Sequence, residues 1–490
     1  MSQYETPLFT GLVNHTKRNP VQFHIPGHKK GNGMDPEFKE FIGDSILSID
    51  LINIAPLDDL HQPKGIILEA QKLAAEAFGA DHSFFSVQGT SGAIMAMIMA
   101  VAGPGDKIIV PRNVHKSVMS AIVFSGAIPI FIHPEIDTNL GISHGITLES
   151  VEKALRTHPE AKGLLVINPT YFGVSANLKE IVTIAHSYDI PVLVDEAHGV
   201  HIHFHDRLPL SAMQAGADIA ATSVHKLGGS MTQSSILNMK EGLISKKKVQ
   251  SILSMLTTTS TSYPLMASLD TARRLLATRG HELLEKAIEL ADYLRNSINN
   301  IPFLHSPGIE LLSKPAVFDI DPTKLIIEVK QLGITGYEAE NWLRHHANIE
   351  VELSDLYNIL VIVTPGDSMY EANLLIQALT ELSDTFSHME EFEHEVTVLL
   401  PDIPKLALTP RDAFYSETEV IPFQESIGRV IAEFIMVYPP GIPIFIPGEI
   451  ITQENLFYIE KNIQAGLPVQ GPEDGTLKTI RVIKEHSAIK

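Results

Sequence analysis

Cysteine is absent from all 490 residues, which excludes disulfides, thiolate nucleophiles and cysteine-ligated metals. Cations are scarce. There are 37 Lys and Arg against 58 Asp and Glu, a formal charge of -21, whereas a nucleic-acid surface needs clustered Lys and Arg; no nucleic-acid partner is expected. Long apolar runs are missing as well: the most tempting stretch, Ala93 to Ala102, is too short to cross a bilayer. The opening MSQYETPLFT lacks the basic-then-apolar layout of a secretory signal, so a soluble cytoplasmic chain without membrane attachment is expected. No GxxxxGK(S/T) loop occurs, which removes the helicase reading that the string DEAH at Asp195 invites.

What is present is a composition that can bury large cores, 44% hydrophobic and 19% charged. The length argues for two or three domains. Residues 1–60 mix Pro, Gly, His and charge without sustained periodicity and read as an ordered arm or loop region. A helical pattern runs from Ile66 to Phe78 and stops at Gly79. Apolar strand-like runs follow at Phe84 to Val87, Lys107 to Val110, Ile128 to Ile132, Leu164 to Ile167, Val192 to Val194 and Ile219 to Thr222. Continuous apolar runs separated by helical patterns imply strands buried on both faces and right-handed crossovers, hence an α/β fold with a mostly parallel sheet over residues 61–305. Two long helices, Pro264 to Ala277 and Glu282 to Ile298, close that domain. Strand candidates at Ala316 to Phe318, Leu325 to Val329 and Ile359 to Val363 then mark a small α+β domain at 306–385. The acidic stretch DTFSHMEEFEHE reads as a linker, and 396–490 as a Pro-rich C-terminal α+β domain.

The chemistry concentrates at Asp218 to Leu237, DIAATSVHKLGGSMTQSSIL. An apolar run delivers Lys226 into a Gly-Gly turn beside Ser223 and His225. A lysine in such surroundings can lose its proton by desolvation and form an imine with an aldehyde. Asp195, 31 residues earlier (226 minus 195), ends another apolar run. An amine and an acid from neighbouring strand ends match the needs of pyridoxal 5'-phosphate, an aldehyde carbon and a pyridine nitrogen. QGTSG at Gln88 to Gly92 follows a strand and opens a helix, where backbone N–H groups with Thr90 and Ser91 could hold a phosphate; an ordinary N-cap is the plainer reading. His115, in RNVHKS after another strand, could stack on a ring; a partly exposed loop histidine is the plainer reading. Asn168, Tyr171, Asp195 and His198 fall on the same predicted carboxyl edge, where open α/β sheets bind ligands. His198, His201, His203 and His205 also raise a metal site, but they lack HExxH spacing and alternate faces; no metal is expected, and the segment reads as partly solvated surface.

These motifs resemble one known family. FHIPGHKKG, PLDDLHQPKG, FGADHSFFSVQGTSG, PRNVHKS, VDEAHG, ATSVHKLGGSMTQSS and PPGIPIFIPGE are similar, in order, to the pyridoxal-phosphate-dependent ornithine, lysine and arginine decarboxylases, which have the aspartate-aminotransferase type of fold. The likeness covers nearly the whole chain and is strongest to short biosynthetic members without an N-terminal receiver-like domain. It implies that Lys226 binds the cofactor aldehyde, that Asp195 holds the pyridine nitrogen, and that His115 stacks on the ring. Thr90, Ser91 and Gly92, with Ser223 and His225, stand where the family grips the phosphate; His198 stands where some relatives carry Trp.

The implied reaction is α-decarboxylation of a basic amino acid, arginine to agmatine in spermidine biosynthesis, with lysine or ornithine as alternative substrates. An aminotransferase is the rival within cofactor chemistry, and a metal-dependent hydrolase the rival outside it. Between Ile301 and Leu400 the one arginine is Arg344, a scarcity that favours releasing a carboxylate over anchoring it. The resemblance further implies a homodimer or larger homo-oligomer with shared sites. TTTSTSYP at Thr257 to Pro264 is then a candidate for reaching the neighbour's phosphate, or simply a helix-capping loop. Glu449, ending the proline-stiffened PPGIPIFIPGE run, is the expected anchor for the substrate's distal cation, with Asp58 and Asp59 as further candidates.

Overall fold

The structure, a computed structural model, describes residues 2–387, 400–437, 441–464 and 467–485. Most of the expected linker, together with Pro439 and Pro440 of the C-terminal loop, lies outside the described residues. The strands used below are β1 (His82–Ser86), β2 (Lys107–Pro111), β3 (Ile128–Ile132), β4 (Leu164–Ile167), β5 (Val192–Asp195), β6 (Ile219–Thr222) and β7 (Ser235–Met239). The helices are α1 (Pro7–Lys17), α2 (Ile66–Ala77), α3 (Gly89–Val101), α4 (Lys116–Ser125), α5 (Val224–Leu227) and α6 (Tyr263–Ile298). Two compact units emerge: residues 1–101 with 182–284, and residues 102–181 with 285–490.

In the first unit the strand order is β1-β7-β6-β5. β5 and β6 are parallel, while β7 opposes both β6 and β1. Every residue of β5, β6 and β7 is buried, which is why β5 and β6 read as continuous apolar runs rather than alternating ones. β7 was not foreseen as a strand. The link from β6, residues 223–234, is spent on a one-turn helix and a turn, so the chain returns antiparallel instead of making a full crossover. α2 runs where its pattern places it and ends at Phe78 and Gly79 (φ 66°).

The N-terminal arm is more ordered than its composition indicates. α1 is held through buried α6 residues: Asp270 Oδ2 accepts the N–H groups of Leu8 and Phe9 at 3.0 and 3.2 Å. Arg273 donates to the carbonyls of Gln3 and Glu5 and to Asp270 Oδ1. The two long helices expected after Pro264 are one 36-residue helix, α6. Gly280 does not interrupt it; a Cβ there would lie 3.1 Å from the Phe204 side chain, so the glycine serves packing rather than a break.

In the second unit, β4-β2-β3 form a parallel set. A three-stranded antiparallel sheet follows, with Lys324–Glu328, Asn358–Ile362 and Leu353–Ser354 in the order first, second, third. Its core joins Leu325, Ile327 and Ile359 to Leu375, Leu379 and Leu382 of helix Met369–Phe386. The strand expected at Ala316 to Phe318 starts later, at Asp319, because Ala316 turns the chain with φ 56°. Residues 400–485 build a further core around Phe423, Ile435, Phe445, Ile459 and Val482.

Candidate active site

Lys226 lies in α5, the single turn that β6 feeds, and its side chain is exposed. Its Nζ is 2.6 Å from His198 Nε2. Asp195 ends β5 with 6% of its surface exposed and accepts the Ala197 N–H at 3.2 Å. Burial pushes its carboxyl pKa up, and the Ala197 N–H and the Lys226 charge pull it partly back. Amine, imidazole and acid are thus gathered by two adjacent parallel strands, whose ends lie side by side because Asp195 pairs with Ala221.

A second cluster sits at the start of α3. Gly89 takes φ 68°, and its N–H bonds the Gln233 carbonyl at 2.9 Å. Gln233 Nε2 donates to the Val87 carbonyl at 2.6 Å, so the QGTSG loop is stapled to the turn before β7. A Cβ on Gly92 would stand 2.9 Å from Gln88 Cβ, which explains the glycine in a tight first turn. Thr90 Oγ1 is hydrogen-bonded to Ser223 Oγ and lies 2.9 Å from Ser235 Oγ. Ser235 donates to the Thr222 carbonyl at 2.8 Å. His225 Nδ1 faces the Ser234 carbonyl at 2.9 Å, so that nitrogen carries the proton. Ser235 was missed in the sequence; a serine opening the strand Ser235–Met239, directly ahead of Ile236 and Leu237, was the available signal.

His115 belongs to the second unit. It caps α4 through Nδ1, which accepts the Ser117 N–H at 3.2 Å, and its side chain is exposed. Also in that unit, Asn168 is buried and accepts the Ala176 N–H, and the Tyr171 hydroxyl donates to Glu352. Arg344 is committed to Glu340 and Glu350.

Three expectations need correction. Glu449 is not available to a substrate: it is 0% exposed, and Arg112 grips it bidentately at 2.7 and 2.8 Å while the Ile446 N–H bonds it at 2.8 Å. Arg112 also donates to the carbonyls of Pro443 and Ile444, so the pair fastens the C-terminal loop to the end of β2. Asp58 is likewise structural, accepting the N–H groups of Asp59, Lys64, Gly65 and Ile67 ahead of and within the first turn of α2. The histidine segment is not solvated surface, since His198, His201 and His205 are 7%, 0% and 6% exposed. Among the described residues no group of three His, Asp or Glu is arranged to hold a metal ion. The Thr257–Pro264 loop is tied to the segment just before α2, where His61 Nε2 meets the Thr258 carbonyl at 3.0 Å.

The donor set fits pyridoxal 5'-phosphate. It offers an exposed amine, a buried acid that becomes favourable as an anion once a cation faces it, and a hydroxyl-rich helix start suited to a dianion. The chain belongs to the Orn/Lys/Arg decarboxylase family: the family's major domain matches residues 6–371 and its C-terminal domain residues 393–466. It is 72% identical over 490 residues, all of both chains, to a Bacillus subtilis protein named arginine decarboxylase. The Francisella novicida lysine decarboxylase superposes with TM-score 0.84 at 24% identity, over 98% of this chain and 81% of that one. The Sphingomonas wittichii serine palmitoyltransferase shares the fold more distantly, with TM-score 0.53 and 16% identity over 66% of this chain and 78% of that one. The fold is thus α/β of the pyridoxal-phosphate-enzyme type, and the chain is an amino-acid decarboxylase by family.

Proposed function

We propose that this chain converts L-arginine to agmatine and carbon dioxide with pyridoxal 5'-phosphate bound at Lys226. The observation that carries the chemistry is the grouping of Lys226, His198 and buried Asp195 on adjacent strand ends. Full-length likeness to a protein named arginine decarboxylase favours arginine over lysine or ornithine. When bound, the cofactor supplies a ring that can take up the electron pair left as carbon dioxide departs.

The chain's own residues do the rest. Asp195 holds a proton at the ring nitrogen, and its buried position makes that ion pair strong. His198 Nε2, 2.6 Å from Lys226 Nζ, would take up the lysine's proton and leave a neutral amine able to hold the cofactor's aldehyde carbon. After substrate binds, Lys226 can return a proton at the substrate's α-carbon. The start of α3 with Thr90, Ser91 and Gly92, and Ser223 with His225, would cradle the phosphate; the role of an imidazole for the ring falls to His115 by the motif resemblance alone. A homodimer or larger assembly and a cytoplasmic site of action complete the reading. Among the described residues no helix is long and apolar enough to cross a membrane.

Product analysis after incubation with arginine, lysine and ornithine tests the substrate: agmatine should dominate, and a higher kcat/KM for lysine would overturn the assignment. Borohydride reduction followed by peptide mapping tests the site. The adduct should sit on Lys226, and an adduct on another lysine would end the cofactor assignment.

A further inference from the structure

A residue other than glycine with a large positive φ is held there against its own preference, and such outliers gather at functional sites. Gln233, in the turn between α5 and β7, takes φ 79°, the largest among the described residues other than glycine. Glycine would adopt that angle freely, so the reason for a glutamine lies in its side chain. The Gln233 amide donates from Nε2 to the Val87 carbonyl at 2.6 Å. No other orientation of the amide serves there, since a carbonyl only accepts. The Gln233 backbone carbonyl accepts the Gly89 N–H at 2.9 Å. One residue therefore grips the chain on both sides of Gln88, at the step from β1 into α3.

The turn that carries Gln233 is itself fixed. Ser234 offers its carbonyl to His225 Nδ1 at 2.9 Å, and its hydroxyl donates to the Met231 carbonyl at 2.5 Å. Ser235 pairs with Ser86 across β7 and β1. The opening of α3 is thus clasped to the turn that follows Lys226. The N–H groups of a helix's first turn have no partners within the helix, and a turn that holds them together without an anion is prone to unwind. An anion that must first re-form the turn binds more weakly, in proportion to the fraction of molecules in which the turn stands ready.

We propose that Gln233 is a positioning residue that keeps the opening of α3 in its phosphate-accepting shape before the cofactor arrives. It acts through Val87 and Gly89, and the strain in its backbone is offset by the bonds it makes to them. This rests on the cofactor reading and adds that the phosphate seat is built in advance, from the turn after the lysine.

The test compares full-length protein stripped of cofactor as wild type, Gln233→Gly and Gln233→Asn. Both substitutes tolerate a positive φ, yet neither reaches Val87, because glycine has no amide and asparagine is one methylene short. Amide hydrogen exchange over residues 87–92 without ligand should quicken about fivefold in both variants, the worth of one neutral hydrogen bond. Titration with pyridoxal 5'-phosphate and with pyridoxal, which lacks the phosphate, then gives the ratio of the two dissociation constants. Preference for the phosphate form should fall about fivefold, while the denaturant midpoint stays close to wild type because relieved strain offsets the lost bond. A role limited to overall stability would lower the midpoint and leave the ratio alone, which overturns the proposal. So does exchange within about 1.5-fold of wild type, or a ratio that falls by less than about twofold; either variant decides the matter should the other not fold. Wild-type protein without preference for the phosphate form would instead sink the cofactor reading, and this inference with it.

Discussion

Asp195 and Glu449 are both carboxylates buried near strand ends, and burial pushes both pKa values up. They differ in what surrounds them. Glu449 has a closed set of partners: a guanidinium on both oxygens and a backbone N–H on one of them. Asp195 has the Ala197 N–H at 3.2 Å and the charge of Lys226, which is part of the reaction chemistry. A buried acid whose cation is built into the chain does structural work. One whose environment penalises the anion until a cation arrives is prepared for a ligand.

Three substitutions sharpen or break that contrast. Glu449→Gln leaves Arg112 buried without its counter-charge, so denaturant unfolding should show a loss of about 3 to 5 kcal/mol; a change below about 1 kcal/mol would remove the clamp reading. Asp195→Asn should do the opposite, keeping or slightly raising the stability of cofactor-free protein while turnover per bound cofactor drops by roughly 10²- to 10³-fold. Equal turnover in the two proteins would take Asp195 out of its role.

The smallest effect concerns Glu196, beside Asp195 but accepting from the Ala212 N–H and the Thr222 hydroxyl. Burial pushes its pKa from 4.5 up to about 8. The folded chain therefore keeps a proton that the unfolded chain has already released, and stability falls as pH rises from about 4.5 to about 8. Glu196→Gln should flatten that part of the stability-pH curve, and an unchanged slope across the window would show that Glu196 is ionised throughout.

The strands were legible because burial on both faces writes itself as unbroken apolar runs: Leu164 to Ile167 and Ile219 to Thr222 coincide with β4 and β6. Lys226 and Asp195 were legible because a charged residue ending such a run is costly without a purpose. Pairing was not legible. Glu449 is 337 residues from Arg112, and Thr90 is 145 from Ser235; no local pattern tells an acid which cation it will meet or a hydroxyl which way its proton points. The seamless α6 was misjudged because Gly280 looks like a break until Phe204 is found packed against it. The histidine segment misled for the same reason, since polarity in sequence says nothing of burial once partners such as Ser211, 2.8 Å from His203, are supplied.

The fastening of α1 by Asp270 and Arg273 sets a timetable for synthesis. Leu8 leaves the ribosome 262 residues before the carboxylate that binds it. At about 5 to 20 residues per second the wait is roughly 13 to 52 s. Throughout that interval the amphipathic face of α1, with Leu8 and Leu12 that end fully buried, lacks its anchor, and residues 102–181 of the other unit emerge in between. Helix α1 is therefore made well before the residues that lock it, and the nascent chain has a long window in which chaperones can reach that helix.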